Sequence, residues 1–390
     1  MKIGILTFCN SKDNYGQLLQ CYALQQQLIK MGHKPFLIEY QPRNKKMVNS
    51  FKNKIYKLVL IYPIIKSLIS KLEKMRNIRI AKYLNKKNIQ RKFDEFRTQC
   101  IQSGNIVYYS LEEIQNNAPV ADCYICGSDQ IWSMLLSNNE NRVYYLDFGN
   151  KAVKRLAYAA SFGNDVYPPK LNGLLYDLLL RFDAVSVRED AGVKICNNIG
   201  INACRVLDPT LLLSLPDYQL IVESPNIEKK YFYTYSINVT SSKEICWKEL
   251  SQYGNNMGLI SVSTTSSGYI LGREICKDTI YEYATIPQWL GYILNAEFVA
   301  TTSFHGIAFC IIFKKNFIYF PLKGRYSKGN NRVLSILSTL NLLEKVCWSK
   351  KDVERCINFP INWDHVNGKM LKLREESLNF LCTNLFSGKV

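Results

Sequence analysis

Two Rossmann-like α/β domains facing a central cleft are the fold this sequence predicts, and three observations predict it. A strand, an amphipathic helix and a second strand follow one another within the first forty residues. The same alternation resumes after residue 100 and again after residue 230. The chain has 390 residues, 47% of them hydrophobic, which is more than one core usually organises.

The opening run KIGILTF (2–8) reads as a buried strand, and YGQLLQCYALQQQLIKM (15–31) as a helix with the apolar stripe Leu18, Leu19, Tyr22, Ala23, Leu28 and Ile29. PFLIEY (35–40) follows the turn Gly32-His33 as a second strand. Beyond residue 100, ADCYICG, KRLAYAASFG and DAVSV read as strands, REDAG as a helix start, and CRVLDPTLL closes a first domain of residues 1–220. The second domain, 221–390, repeats the pattern: KKYFYTYSINV, SSKEICWKEL, MGLISVS, PQWLGYILNA, EFVATTS, GIAFCIIF and NFIYFP. Its last helix, GKMLKLREESLNFLCTNLF, is expected to pack back across the cleft.

The formal net charge of +18 is concentrated. Residues 43–93 hold sixteen Lys and Arg against one acidic residue, Glu73, at a helical rather than strand period broken at Pro63. Three readings compete for this basic helical insertion: an excursion packed on its own domain, an interfacial helix on anionic lipid, or a nucleic-acid contact. No recognised nucleic-acid module accompanies it, so no nucleic-acid partner is expected. No apolar run reaches the roughly 20 residues that span a bilayer, and no small-residue cleavage site follows the first strand. Thirteen cysteines, an odd number spread singly, fit free thiols and a cytoplasmic setting. Cys123 and Cys126 form one C-x-x-C, but it lies in a strand-like run without a second ligand pair, and reads as two strand thiols.

Neither a dinucleotide glycine fingerprint nor a P-loop is present. Short polar loops at strand ends carry the chemistry instead. In TTSFHG, a hydroxyl before a helix start and the free N–H groups of the first turn make an anion site from Thr302, Ser303 and Gly306. His305 would face that anion with a proton to give or take, unless it merely caps a buried helix. Arg188 in VRED suits a carboxylate or phosphate, or else pairs with Glu189 or Asp190. In GSDQIW, Asp129 and Gln130 suit sugar hydroxyls with Trp132 as an apolar platform; the alternative is a capping aspartate.

Taken in order, NYGQLLQCYALQQQL, DCYICGSDQIW, YYLDFG, AYAASFG, SVRED, LDPTLLL and LNAEFVATTSFHGIAFCIIFKKNFIYF resemble the polysaccharide pyruvyl transferase family from residue 3 to about 337. KKNFIYF departs from the family, which commonly has a proline before the Phe. The resemblance implies a fold similar to GT-B glycosyltransferases and transfer of a pyruvyl group from phosphoenolpyruvate onto a sugar of a bacterial surface polysaccharide. The implied product is a cyclic ketal with release of phosphate, often on a lipid-linked precursor. It gives His305 the general acid/base role, Arg188 the donor anion, and Ser303 with the helix start the phosphate; Arg325 and Arg332 are further candidates for the anion. The acceptor sugar would meet Asn14, Tyr15, Ser128, Asp129 and Gln130. No cofactor beyond the donor and no metal is expected. The basic segment would hold the enzyme at the anionic inner face of the cytoplasmic membrane. Two other classes stay open: a GT-B glycosyltransferase using a nucleotide sugar, and a non-catalytic basic protein binding glycan or nucleic acid.

Overall fold

The computed structural model describes residues 1–42, 88–133, 136–265 and 274–386, apart from the side chain of Arg325. Most of the basic stretch, 43–87, lies outside the described residues, and with it the expectation of an inserted helical element.

Twelve strands are described, and they fall into two sheets. The first contains β1 (Lys2–Leu6), β2 (Lys34–Tyr40), β3 (Ser103–Tyr108), β4 (Cys123–Cys126), β5 (Lys154–Ala160), β6 (Ala184–Val187) and β7 (Cys204–Arg205), in the order β3-β2-β1-β4-β5-β6-β7. The second contains β8 (Tyr231–Ser236), β9 (Ile260–Thr265), β10 (Ile280–Tyr281), β11 (Val299–Thr301) and β12 (Phe317–Tyr319), in the order β10-β9-β8-β11-β12. Every pairing is parallel. Parallel strands are covered on both faces, which is why β1, β5 and β8 read as near-continuous apolar runs.

Strand order reverses between β1 and β4 in the first sheet and between β8 and β11 in the second. Crevices open at the carboxyl ends of the strands at such points. The loops that leave these strands are the polar ones singled out above. Five helices frame them: α1 (Tyr15–Lys30), α2 (Ile286–Asn295), α3 (Phe304–Ile312), α4 (Asn330–Thr339) and α5 (Trp363–Phe386). Helix α5 returns to the first sheet: Ser377 Oγ accepts from Leu207 N at 2.9 Å, Arg374 Nε donates to Leu211 O at 3.0 Å, and Lys154 Nζ donates to Asn384 O at 2.7 Å.

Helix α1 was expected to show one apolar stripe, but it is buried around most of its circumference, with Gln20 and Gln25 as fully enclosed as Leu18 and Leu24. Only Ile29 of the expected stripe is exposed. The second domain covers the face that such a helix usually shows to water. One continuous apolar cluster therefore runs from β1 through α1 to Trp289 and Phe309.

Tyr15, expected to touch the acceptor, sits inside this seam with no exposed surface. It stacks on Trp289 (5.1 Å, 11° between planes), donates to Ala284 O at 2.7 Å and accepts from Arg91 Nη1 at 2.5 Å. Burial pushes its phenol up to about 12, against the pull of Arg91, so it stays a donor. Arg91 is itself 2% exposed and donates to Thr265 O of the second sheet at 2.5 Å. The carboxyl end of the segment 43–93 therefore belongs to the interface between the sheets and not to a surface patch. Tyr15→Phe should lower the unfolding free energy in a denaturant titration by about 1–3 kcal/mol, because Arg91 Nη1 would be left unpaired in the seam; an unchanged midpoint would remove Tyr15 from the clasp.

Candidate active site

The two crevices meet in one cleft of about 360 Å³. Asn14, Asp129, Gln130, Gly163 and Asn164 wall it from the first domain, and Asn238, Ser303, His305 and Arg332 from the second. Two helix N-termini point into it from opposite sides. Asn14 caps α1 by accepting from Gln17 N at 3.4 Å, and Ser303 caps α3 by accepting from Gly306 N at 3.3 Å. The helices approach so closely that a Cβ on Gly16 would lie 1.9 Å from His305 Nδ1. Only glycine leaves room for the ring.

Beneath the cleft lies Asp208, fully buried at the end of the short strand β7. Its Oδ2 accepts from Arg188 Nη1 and Ser128 Oγ, both at 2.7 Å. Its Oδ1 accepts from Thr210 Oγ1 at 2.7 Å and Thr210 N at 3.0 Å, and stands 3.7 Å from His305 Nε2, too far for a hydrogen bond. Burial would push the carboxyl up; His305, Arg188 and Ser128 together hold it far below the usual carboxylate range. The ionised carboxylate therefore stands directly behind the Nε2 edge of the ring.

Arg188 has the ion pair with Glu189 that one reading expected, and a closer partner besides. It is bound to Asp208, which sequence reading did not consider, while Glu189 lies 3.8 Å from Nε and Asp190 pairs with Arg205. The Arg188 guanidinium lies 4.9 Å from the Phe304 ring centroid, and its Nε and Nη2 have no hydrogen-bond partner. Glu189 is held by Ser161 Oγ at 2.7 Å.

Several residues expected at the site make structural contacts. Ser128 supports Asp208 from below the cleft. Thr302 Oγ1 donates to Ile237 O at 2.9 Å and accepts from Ile237 N at 2.8 Å, tying the two loops of its sheet together. Gly306 allows the backbone to approach Thr301, whose Oγ1 would meet a Cβ at 2.4 Å. Trp132 is no sugar platform: it is fully buried, stacks on Tyr145 at 5.3 Å and donates to Tyr144 O at 3.1 Å. The side chain of Arg325 lies outside the described residues. The strain expected of a built site falls on Asp129 and Asn238, cleft residues held at φ 72° and 56°. Among the described residues no group of three or more His, Cys, Asp or Glu is arrayed as a metal site, and no helix is long and apolar enough to cross a membrane.

Asp208, Gly16 and Phe304 are the site residues that sequence reading missed. Asp208 stands in the quoted run LDPTLLL, where Asp before Pro reads as a turn cap, and it does cap the turn at Pro209–Leu211. Breaking its buried pair with Asp208→Asn should cost about 3–5 kcal/mol in denaturant unfolding. The sign with pH follows from the depressed carboxyl. Its stabilisation is complete above about pH 4, where the unfolded chain's aspartate is ionised, and drains as pH falls further. The Asn variant should lose that part of the acid dependence; an identical acid limb in both proteins would contradict it.

The family model for polysaccharide pyruvyl transferase matches residues 14–323. Comparison with curated proteins finds no match. Among solved structures the chain is similar to S. aureus MnaA with UDP (12% identity, TM-score 0.51, covering 99% of this chain and 97% of that one). It is also similar to a putative UDP-N-acetylglucosamine 2-epimerase from Listeria monocytogenes (9%, 0.52, 99% and 96%). A third likeness is to UDP-GlcNAc 2-epimerase from Methanocaldococcus jannaschii (12%, 0.51, 98% and 100%). At such identities the likeness concerns the fold, two Rossmann-like domains in a GT-B-like arrangement. The matched span carries the walls of the cleft from Asn14 to Leu322 and the Asp208–His305 pair beneath it, and the chain belongs to the polysaccharide pyruvyl transferase family.

Proposed function

We propose that this transferase moves the pyruvyl group of phosphoenolpyruvate onto two hydroxyls of one sugar in a bacterial surface polysaccharide or its lipid-linked precursor, closing a ketal and releasing phosphate. The observation that carries the reading is the placement of His305: backed by a buried, ionised carboxylate, at a helix N-terminus, facing a polar wall across a cleft.

The chemistry asks for one proton to arrive and two to leave. The donor's methylene carbon gains a proton and becomes a methyl group. The adjacent carbon accepts the first sugar oxygen, its bond to the phosphate oxygen breaks with the electron pair leaving on phosphate, and the second sugar oxygen closes the ring. Of the two hydroxyl protons lost, one replaces the proton given to carbon and the other leaves with phosphate. His305 is the group placed to deliver and recover that proton, with the Asp208 carboxylate 3.7 Å behind it. The donor phosphate takes the N-terminus of α3 beside Ser303, where N–H groups and the helix dipole favour an anion. Arg188 and Arg332 supply positive charge from the same side. Asn14, Asp129 and Gln130 offer the sugar acceptors and donors on the opposite wall.

The basic stretch 43–87 fits an enzyme whose acceptor lies at an anionic membrane surface, each nearby Lys or Arg adding about 1 kcal/mol of attraction. Replacing eight of its Lys and Arg by Gln should abolish salt-sensitive binding to phosphatidylserine vesicles and leave phosphoenolpyruvate binding intact; unchanged vesicle binding would end this part of the reading.

Phosphoenolpyruvate should raise the unfolding temperature of the purified protein, whereas nucleotide sugars should not, because a ligand held only by the native state stabilises it. A shift with one nucleotide sugar alone would favour glycosyl transfer. His305→Ala should lower turnover about 10²- to 10⁴-fold without loss of folding. Gly16→Ala, which touches no substrate, should cost about 100-fold by displacing the ring. Near-wild-type rates in both variants would overturn the assignment.

A further inference from the structure

Three arginines stand around the inner side of the cleft, and two of them are committed. Arg188 has Asp208 at 2.7 Å with Glu189 and Asp129 inside 4 Å, and Arg205 has Asp190 at 3.1 Å. Arg332 is different. Among the described residues no carboxylate lies within ion-pair distance of it, and its Nε reaches only Gly329 O at 3.4 Å. Burial and the neighbouring charge of Arg188 press on its guanidinium, against the more distant pull of Glu189 and Asp129. It borders both the cleft and the small inner cavity behind Phe304.

What occupies its fork is Gln130, from the first domain. With the carboxamide oxygen facing the guanidinium, that one oxygen accepts from Nη2 at 2.9 Å and Nη1 at 3.1 Å. Gly163, at φ 64°, backs the carboxamide so tightly that a Cβ there would meet Gln130 Cδ at 3.1 Å. A planar group with an oxygen turned toward both terminal nitrogens of an arginine occupies the place that a carboxylate would take with greater energy.

We propose that Arg332 receives the carboxylate of the donor, and that Gln130 holds that place across the cleft until the donor displaces it. The inference rests on the phosphoenolpyruvate reading above and assigns which guanidinium meets which end of the molecule. The tetrahedral phosphate goes to the α3 N-terminus; the planar carboxylate goes to the fork that a planar amide already fills. Arg188, bound to Asp208, is a positioning residue. Donor entry thus exchanges a neutral acceptor on the Arg332 guanidinium for an ionised one, and releases Gln130 to the acceptor.

Calorimetric binding of phosphoenolpyruvate without acceptor tests this independently of turnover. Arg332→Ala should weaken binding about 10- to 150-fold, the range for losing a hydrogen bond to a charged group, and Arg332→Lys should recover only part of it because the fork is gone. Gln130→Ala should tighten binding about 2- to 10-fold, since nothing then competes for the fork. Pyruvate, which carries the carboxylate alone, should compete in the wild type and not in Arg332→Ala, while inorganic phosphate should compete in both. Circular dichroism of each variant establishes that it is folded, and Arg332→Lys carries the test if Arg332→Ala is not. Wild-type binding unchanged by the Arg332 variants, or weakened by Gln130→Ala, would overturn this inference alone. Absence of phosphoenolpyruvate binding in the wild type would overturn the donor reading and this inference with it.

Discussion

A carboxylate without exposed surface holds the site together. Asp208 is ionised in an interior where an unpaired charge would be prohibitively costly, so everything around it is arranged to supply donors: an arginine, two hydroxyls and a backbone N–H, with the imidazole of His305 at ion-pair distance. Those donors come from three strand ends of the first sheet, and the imidazole comes from the second. One buried charge therefore fixes the register between two domains at the point where chemistry is proposed to occur. Had Asp208 been neutral, His305 would face no buried anion and Arg188 would lose its nearest carboxylate.

The same register is enforced sterically. Gly16 and His305 occupy one volume between two helix starts, and Tyr15, the next residue back, is clasped by Trp289, Ala284 and Arg91. Domains joined by so continuous an apolar seam do not slide freely, and the helix dipoles of α1 and α3 are aimed at the cleft from opposite walls. The cleft is thus a preorganised electrostatic environment, with adjustment left to the side chains that line it. The exchange of Gln130 for a donor carboxylate on Arg332 needs only such an adjustment.

Much of this was legible in the sequence, for reasons that differ by residue. The strands were visible because parallel strands buried on both faces are continuously apolar, and α3 because Ser303 and Gly306 mark its start. His305 stood out as one of three histidines placed at a strand-to-helix junction. Tyr15 and Trp132 were misread because an aromatic with a polar tip looks the same beside a sugar as it does in a core, and only packing decides: Tyr15 against Trp289 of the second domain, Trp132 against Tyr145 within the first. Asp208 was hidden because capping a turn and anchoring a histidine use the same carboxylate, and the second role depends on β7 meeting α3 far along the chain. The strand β3, SGNIVY, was passed over since its residues are half exposed at the sheet edge and lack a strong apolar period.

The central claim is that a proton passes between His305 and the donor's methylene carbon while a ketal forms. Its most direct test is to incubate the protein with phosphoenolpyruvate and a lipid-linked glycan extract in ²H₂O and to examine the product by mass spectrometry and proton resonance. The account predicts a pyruvate ketal whose methyl group carries one solvent deuteron, with phosphate formed in equal amount. A product that keeps the intact methylene, or one that gains a sugar from a nucleotide donor instead, would contradict it.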